Sequence, residues 1–142
     1  MDREIDYLSD IYRGVRMGAE TLDTVIKRTT GKEIKRELIR EKHSYREFQN
    51  KLINEISNRN QKPKPESKTK RRMAKMGIAI NTALDNTTSH IADLVIQGNN
   101  MGIIGMNKAI NHHKNCDEKI KKLANELISI QNQNIDNLTK FL

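Results

Sequence analysis

The sequence predicts an all-α fold: a four-helix bundle built from two helical hairpins, with a long crossover between them that carries a short extra helix. Three observations lead there. Aromatic residues are scarce at 4% with no Trp, and the 142 residues hold only 7 Gly and 2 Pro, which favours helices packed on Leu, Ile, Met and Ala over sheets. Apolar residues recur at spacings of three and four along four long segments. The two prolines, Pro63 and Pro65, fall together in the one long stretch without such a stripe. The length suits a single domain, residues 1–142, with one core.

Helix one is predicted over residues 4–29, with its stripe at Ile5, Leu8, Ile11, Tyr12, Val15, Gly18, Ala19, Leu22, Val25 and Ile26. The following "TTGKE" offers a glycine at the helix end and a capping box, Thr30 with Glu33, to start helix two. Helix two carries Ile34, Leu38, Glu41, Tyr45, Phe48, Leu52 and Ile56 on one face and ends by about Asn60, because Pro63 and Pro65 cannot continue it. Residues 62–72 form a basic linker, and residues 73–84 a crossover helix lying on the body through Met73, Met76, Gly77, Ile80 and Leu84. Helix three is predicted over 87–113 and helix four over 116–141, with Asn115 and Glu118 repeating the spacing of Thr30 and Glu33 at the join. Met17-Gly18 precedes Gly31 by the same interval as Met101-Gly102 precedes Asn115, an echo that suggests duplication of a hairpin.

The net charge of +8 is a local feature. "KPKPESKTKRR", residues 62–72, holds six basic residues and one acid, +5 of the +8. Such a run reads first as a solvated linker extended by its own repulsion. Its Lys62, Lys64, Lys68, Lys70, Arg71 and Arg72 also make a patch for weak, sequence-blind attraction to nucleic acid or an acidic partner. No stacking aromatics flank it, so specific single-strand recognition is not expected. Cys116 is the one cysteine and can form no internal disulfide, and "MDREIDYLSD" lacks the basic and apolar regions of a signal peptide, so a cytoplasmic location is expected. No apolar run reaches the roughly 18 residues of a membrane span. "GNNMGIIG" does not match a phosphate-binding loop, and no nucleophile stands with an obvious base, so no catalytic residue is expected.

"IQGNNMGIIG" places Gly98, Gly102 and Gly105 inside predicted helix three, where each glycine costs about 1 kcal/mol relative to alanine. They fall at i, i+4 and i+7 with Ile91, Val95 and Ala109, giving a nearly smooth face for close packing. Ile96, Ile103, Met106 and Ile110 form a second apolar face, expected to be covered partly by the crossover helix and partly by a second subunit in a symmetric homodimer through helix three.

With "MGAETLDTVI" in helix one and "TSHIADLVIQGNNMGII" in helix three, the chain resembles the ferritin-like, rubrerythrin-related superfamily, in particular a small bacterial group within it. The resemblance covers nearly the whole chain and implies a ferritin-like bundle. It also implies a place for an iron or manganese pair, held in active members by a Glu from each of two helices and a Glu-x-x-His from each of the others. The residues here depart from that pattern. Glu20 lies well off the stripe of helix one and is expected to face solvent. Glu41 is on its stripe, but Ser44 stands where the motif needs His. Helix three has no central Glu, and helix four offers Gln131 and Asn134.

A second set of donor atoms, His112, His113, Cys116 and Asp117, spans the join between helices three and four and reads first as a polar turn. His90 and His43 are expected at a cap and at the surface. Counting residues from the hairpin ends brings Glu41, Gln131 and Gly98 to similar heights, near Gly18 and Ala19. This is a buried polar layer in which Gln131, the hydroxyl of Tyr12 or Tyr45, or a water would contact Glu41; alternatively Glu41 tilts to the edge and reaches solvent. The functional expectation is a structural or interaction protein with a degenerate metal site and no cofactor. Its competitors are an iron- or manganese-binding redox protein with altered ligands and a nucleic-acid binder using the basic segment.

Overall fold

The computed structural model describes residues 2–64, 77, 81–82 and 84–142. Four helices carry the fold: α1 (Asp2–Ile26), α2 (Lys32–Ser57), α3 (Thr88–His112) and α4 (Glu118–Leu138), followed by a 3-10 turn, Thr139–Phe141. No strand occurs among the described residues. The stripes read from the sequence are the buried faces. Leu8, Ile11, Val15 and Leu22 of α1 pack with Ile34, Leu38, Leu52 and Ile56 of α2, Ile91 and Val95 of α3, and Ile120 and Leu127 of α4 in a single core. Each such buried aliphatic side chain contributes roughly 1.5–3 kcal/mol.

The helix joins differ from expectation. The N-cap of α2 is Gly31, with extended backbone at φ −66 and no side-chain cap, so the Thr30 and Glu33 capping box does not form. A Cβ on Gly31 would meet Thr88 Oγ1 at 2.7 Å and Ile34 Cγ2 at 3.2 Å. Close approach of α3, and not a left-handed turn, is therefore what requires glycine there. At the second join Asp117 is the cap, its side chain accepting from Lys119 N, while Asn115 takes φ 69, a conformation that Asn tolerates better than most residues. Asn115 and Glu118 thus do not cap α4. Thr87 does cap α3, accepting from His90 N.

The direction of each helix follows from its end contacts. Asn86 Nδ2 donates to Arg28 O at 3.2 Å, and His113 reaches Asp10, so α3 starts where α1 ends and runs antiparallel to it. Lys51 pairs with Glu126 at 2.9 Å and Lys119 with Glu55 at 3.1 Å, so α4 runs antiparallel to α2. Consequently α2 and α3 are parallel, and the connection between them must travel the length of the bundle. Its first part lies along α1: Lys64 N donates to Ser9 Oγ at 3.0 Å, Arg13 donates to Lys64 O at 3.1 Å, and Lys64 Nζ pairs with Asp6.

Most of the predicted crossover helix, including Met73, Met76 and Ile80, lies outside the described residues, as do Lys68, Lys70, Arg71 and Arg72 of the basic segment. Residues 77, 81, 82 and 84 are helical. Gly77 and Leu84 are exposed, Leu84 by 83%, so neither lies against the body as the stripe predicted; Thr82 is the buried one. No helix among the described residues is long and apolar enough to cross a membrane.

Candidate functional site: a buried polar layer

Midway along the bundle the apolar core is interrupted by Glu41 and Tyr45 from α2, Asn99 from α3, and Gln131 and Asn134 from α4, all buried. Their helical spacing explains the arrangement. Glu41 and Tyr45 are four apart, Gln131 and Asn134 three apart, so each pair sits on one inward face. Two glycines make room for it. A Cβ on Gly18 would stand 3.0 Å from Tyr45 Cε2, and a Cβ on Gly102 would be driven into Gln131 Nε2, with the amide carbon 3.2 Å away. In each hairpin, therefore, a glycine of the first helix admits a polar side chain of the second. Gly98 and Gly105 have no such role among the described residues, none of which lies within 4 Å of where their Cβ would be. The smooth face read for the three glycines reduces, within one chain, to Gly102.

Tyr45 donates its hydroxyl to Asn99 Oδ1 at 2.7 Å, and Asn99 Nδ2 donates to Val95 O at 2.9 Å. Burial pushes the Tyr45 hydroxyl well above its ordinary range, with the Asn134 and Gln131 amides beside it partly offsetting the rise. Glu41 is 0% exposed, which removes the alternative in which it reaches solvent. Neither of its oxygens receives a hydrogen bond from an N–H or hydroxyl among the described residues, and Gln131 Oε1 and Asn134 Nδ2 are likewise without a partner. The expected contacts from Gln131, Tyr12 or Tyr45 to Glu41 are not formed. Tyr12 is only half-buried and accepts instead from Gln49 Nε2 at 3.3 Å.

The neighbour that matters is Glu37, one turn earlier on α2. Burial raises the Glu41 pKa to about 9, helped by a hydrogen bond to Glu37 and by repulsion from it. Glu37 goes the other way: despite its own burial, its bonds to Arg40, 2.7 Å away, and to Glu41 hold it below the ordinary carboxylate range. At neutral pH the layer thus holds a neutral carboxylic acid able to donate toward an ionised, Arg-paired carboxylate. The i−4 spacing of Glu37 was available in the sequence. Its tilt toward Glu41 was not, since Glu37 lies off the stripe. Asn99 was missed as well, because an Asn beside Gly98 in an apolar run reads as an interruption.

Donor chemistry decides the fit to a metal pair. A divalent pair calls for several charged carboxylates, whereas this layer offers one carboxyl held neutral, three amides and a phenol. Glu20 is half-buried on α1, less exposed than its place on the helix suggested. No group of three or more His, Cys, Asp or Glu that could hold a metal ion occurs among the described residues. The residues do not fit the group.

The donor set at the second join separates into structural roles. The His113 side chain is buried, its ring stacked on Tyr7 with centroids 4.5 Å apart and its Nε2 2.8 Å from Asp10 Oδ2. His112 meets His113 edge-on at 4.8 Å and lines an open groove with Asp10, Arg13 and Lys108. Cys116 donates its backbone N–H to His113 O at 3.1 Å, and Asp117 is the helix cap. Asp10, distant in sequence from His113, gave no sign of this pairing. His43 is exposed, and His90 lies by Asn81 at the start of α3. Compared with family models, curated proteins and solved structures, the chain matches none significantly.

Proposed function

We propose that the chain is a ferritin-like, rubrerythrin-related bundle in which a neutral polar layer takes the place of a metal pair, and that it serves as a structural or interaction protein without catalysis of its own. The observation that carries this reading is the donor set of the layer, in which Glu41 is the single acid, buried with the amides Asn99, Gln131 and Asn134 and the Tyr45 phenol. A carboxyl neutral at physiological pH is a weak metal ligand and a stable hydrogen-bonding group. The parallel α2 and α3, joined by one long crossover, agree with the ferritin-like arrangement.

The test is a set of thermal melts of the wild type and of Glu41→Gln, each with excess iron(II), excess manganese(II) or chelator. Melts that do not respond to metal support the structural bundle. A rise with metal in the wild type that disappears in Glu41→Gln would support the redox alternative, because bound metal stabilises the folded state by mass action.

A further inference from the structure

We infer that the chain forms a symmetric homodimer in which α3 packs antiparallel on α3 of a second copy, about a two-fold axis between Asn100 and Met101. The face concerned is the one on α3 opposite its core residues, away from the polar layer. Asp93, Gln97, Asn100, Met101, Ile104 and Lys108 are all exposed there and lie within an arc of about 100° at 3.6 residues per turn. Met101 at 73% and Ile104 at 56% are the most exposed large apolar side chains on the four helices. None of residues 94–107 is acidic or basic, in a chain that is 31% charged. Water-facing helix normally carries charge along its length, and this one does so only at the two ends of the face.

Those two charges identify the occupant. Asp93 and Lys108 are opposite in sign and equally far from the midpoint between residues 100 and 101. A two-fold axis at that point sets Asp93 against the partner's Lys108 and Lys108 against the partner's Asp93. It also sets Ile104 against the partner's Gln97 and Met101 against the partner's Asn100. The face is complementary to itself, as an isologous interface requires. Parallel pairing would oppose Asp93 to Asp93 and Lys108 to Lys108. Lys108 has no ion pair within its own chain among the described residues, so it is free for the partner. Gly98 and Gly105, three residues before and four after Met101, leave space on its flank that no described residue fills and into which the partner's side chains can pack. The apolar centre supplies affinity, and the charged ends set direction and register.

The test measures the mass of the full chain in solution by sedimentation or light scattering, with circular dichroism confirming that every variant keeps its helices. The wild type should be a dimer at about 10–100 µM. Asp93→Lys and Lys108→Asp each turn both ion pairs into repulsions and should weaken the dimer about tenfold or more. An equimolar mixture of these two variants should form a heterodimer, and the double variant Asp93→Lys/Lys108→Asp should dimerise like the wild type. Ile104→Lys should be monomeric. A monomeric wild type, a dimer indifferent to the single reversals, or reversals rescued neither by mixing nor by the double exchange would each overturn the proposal.

Discussion

Replacing Glu41 with Gln should stabilise the protein, by an amount that grows with pH. Glu41 has a folded pKa of about 9 against an ordinary value of 4.5. Between those values the folded chain keeps a proton that the unfolded chain releases, so rising pH favours unfolding. The contribution of this carboxyl to stability is fully present below pH 4.5 and is lost as pH climbs toward 9. At pH 7 the gap of 2.5 pH units, at 1.36 kcal/mol per unit, corresponds to about 3 kcal/mol. Glutamine has the same shape, cannot ionise, and can still donate an N–H toward Glu37 as the protonated carboxyl does. The two proteins should therefore have nearly equal stability at pH 4.5 and differ by about 3 kcal/mol at pH 7, or roughly 10 °C in melting temperature. Urea titrations or thermal melts of both proteins at intervals from pH 4.5 to 8.5 measure the difference, in which the common titration of other groups cancels. A difference that stays flat with pH, or a Gln variant less stable than wild type at pH 8, would refute the reasoning.

Other positions give sharper local tests. Gly102→Leu should destabilise by about 1–3 kcal/mol in chemical denaturation, because the clash with the buried Gln131 outweighs the gain in helix propensity. Tyr7 is buried with a hydroxyl that finds no hydrogen-bond partner among the described residues, so Tyr7→Phe should leave the melting temperature unchanged or raise it while preserving the stack on His113. Replacing Lys68, Lys70, Arg71 and Arg72 with Gln should abolish any salt-sensitive binding to duplex DNA and leave the melt nearly unchanged; binding that survived would place the contact elsewhere on the bundle.

The four helices, their buried stripes and the location of the basic segment were determined by the sequence alone, because a 3.6-residue period repeated over 20 or more residues leaves a helix few other ways to bury its apolar side chains. Glu41, Tyr45 and Gln131 were legible as inward-facing by the same periodicity. What periodicity does not encode is how two helices meet. Only the tertiary structure decided that Gly102 admits Gln131 while Gly98 and Gly105 meet none of the described residues, since a glycine marks a missing side chain without saying whether a neighbour stands there. Only it set Glu37, a residue off the stripe, beside Glu41, and so decided that the buried acid is neutral. It also brought Asp10 to His113 across 103 positions of sequence. Protonation and pairing depend on distances of a few ångströms between elements remote in the chain, and those distances are fixed by packing.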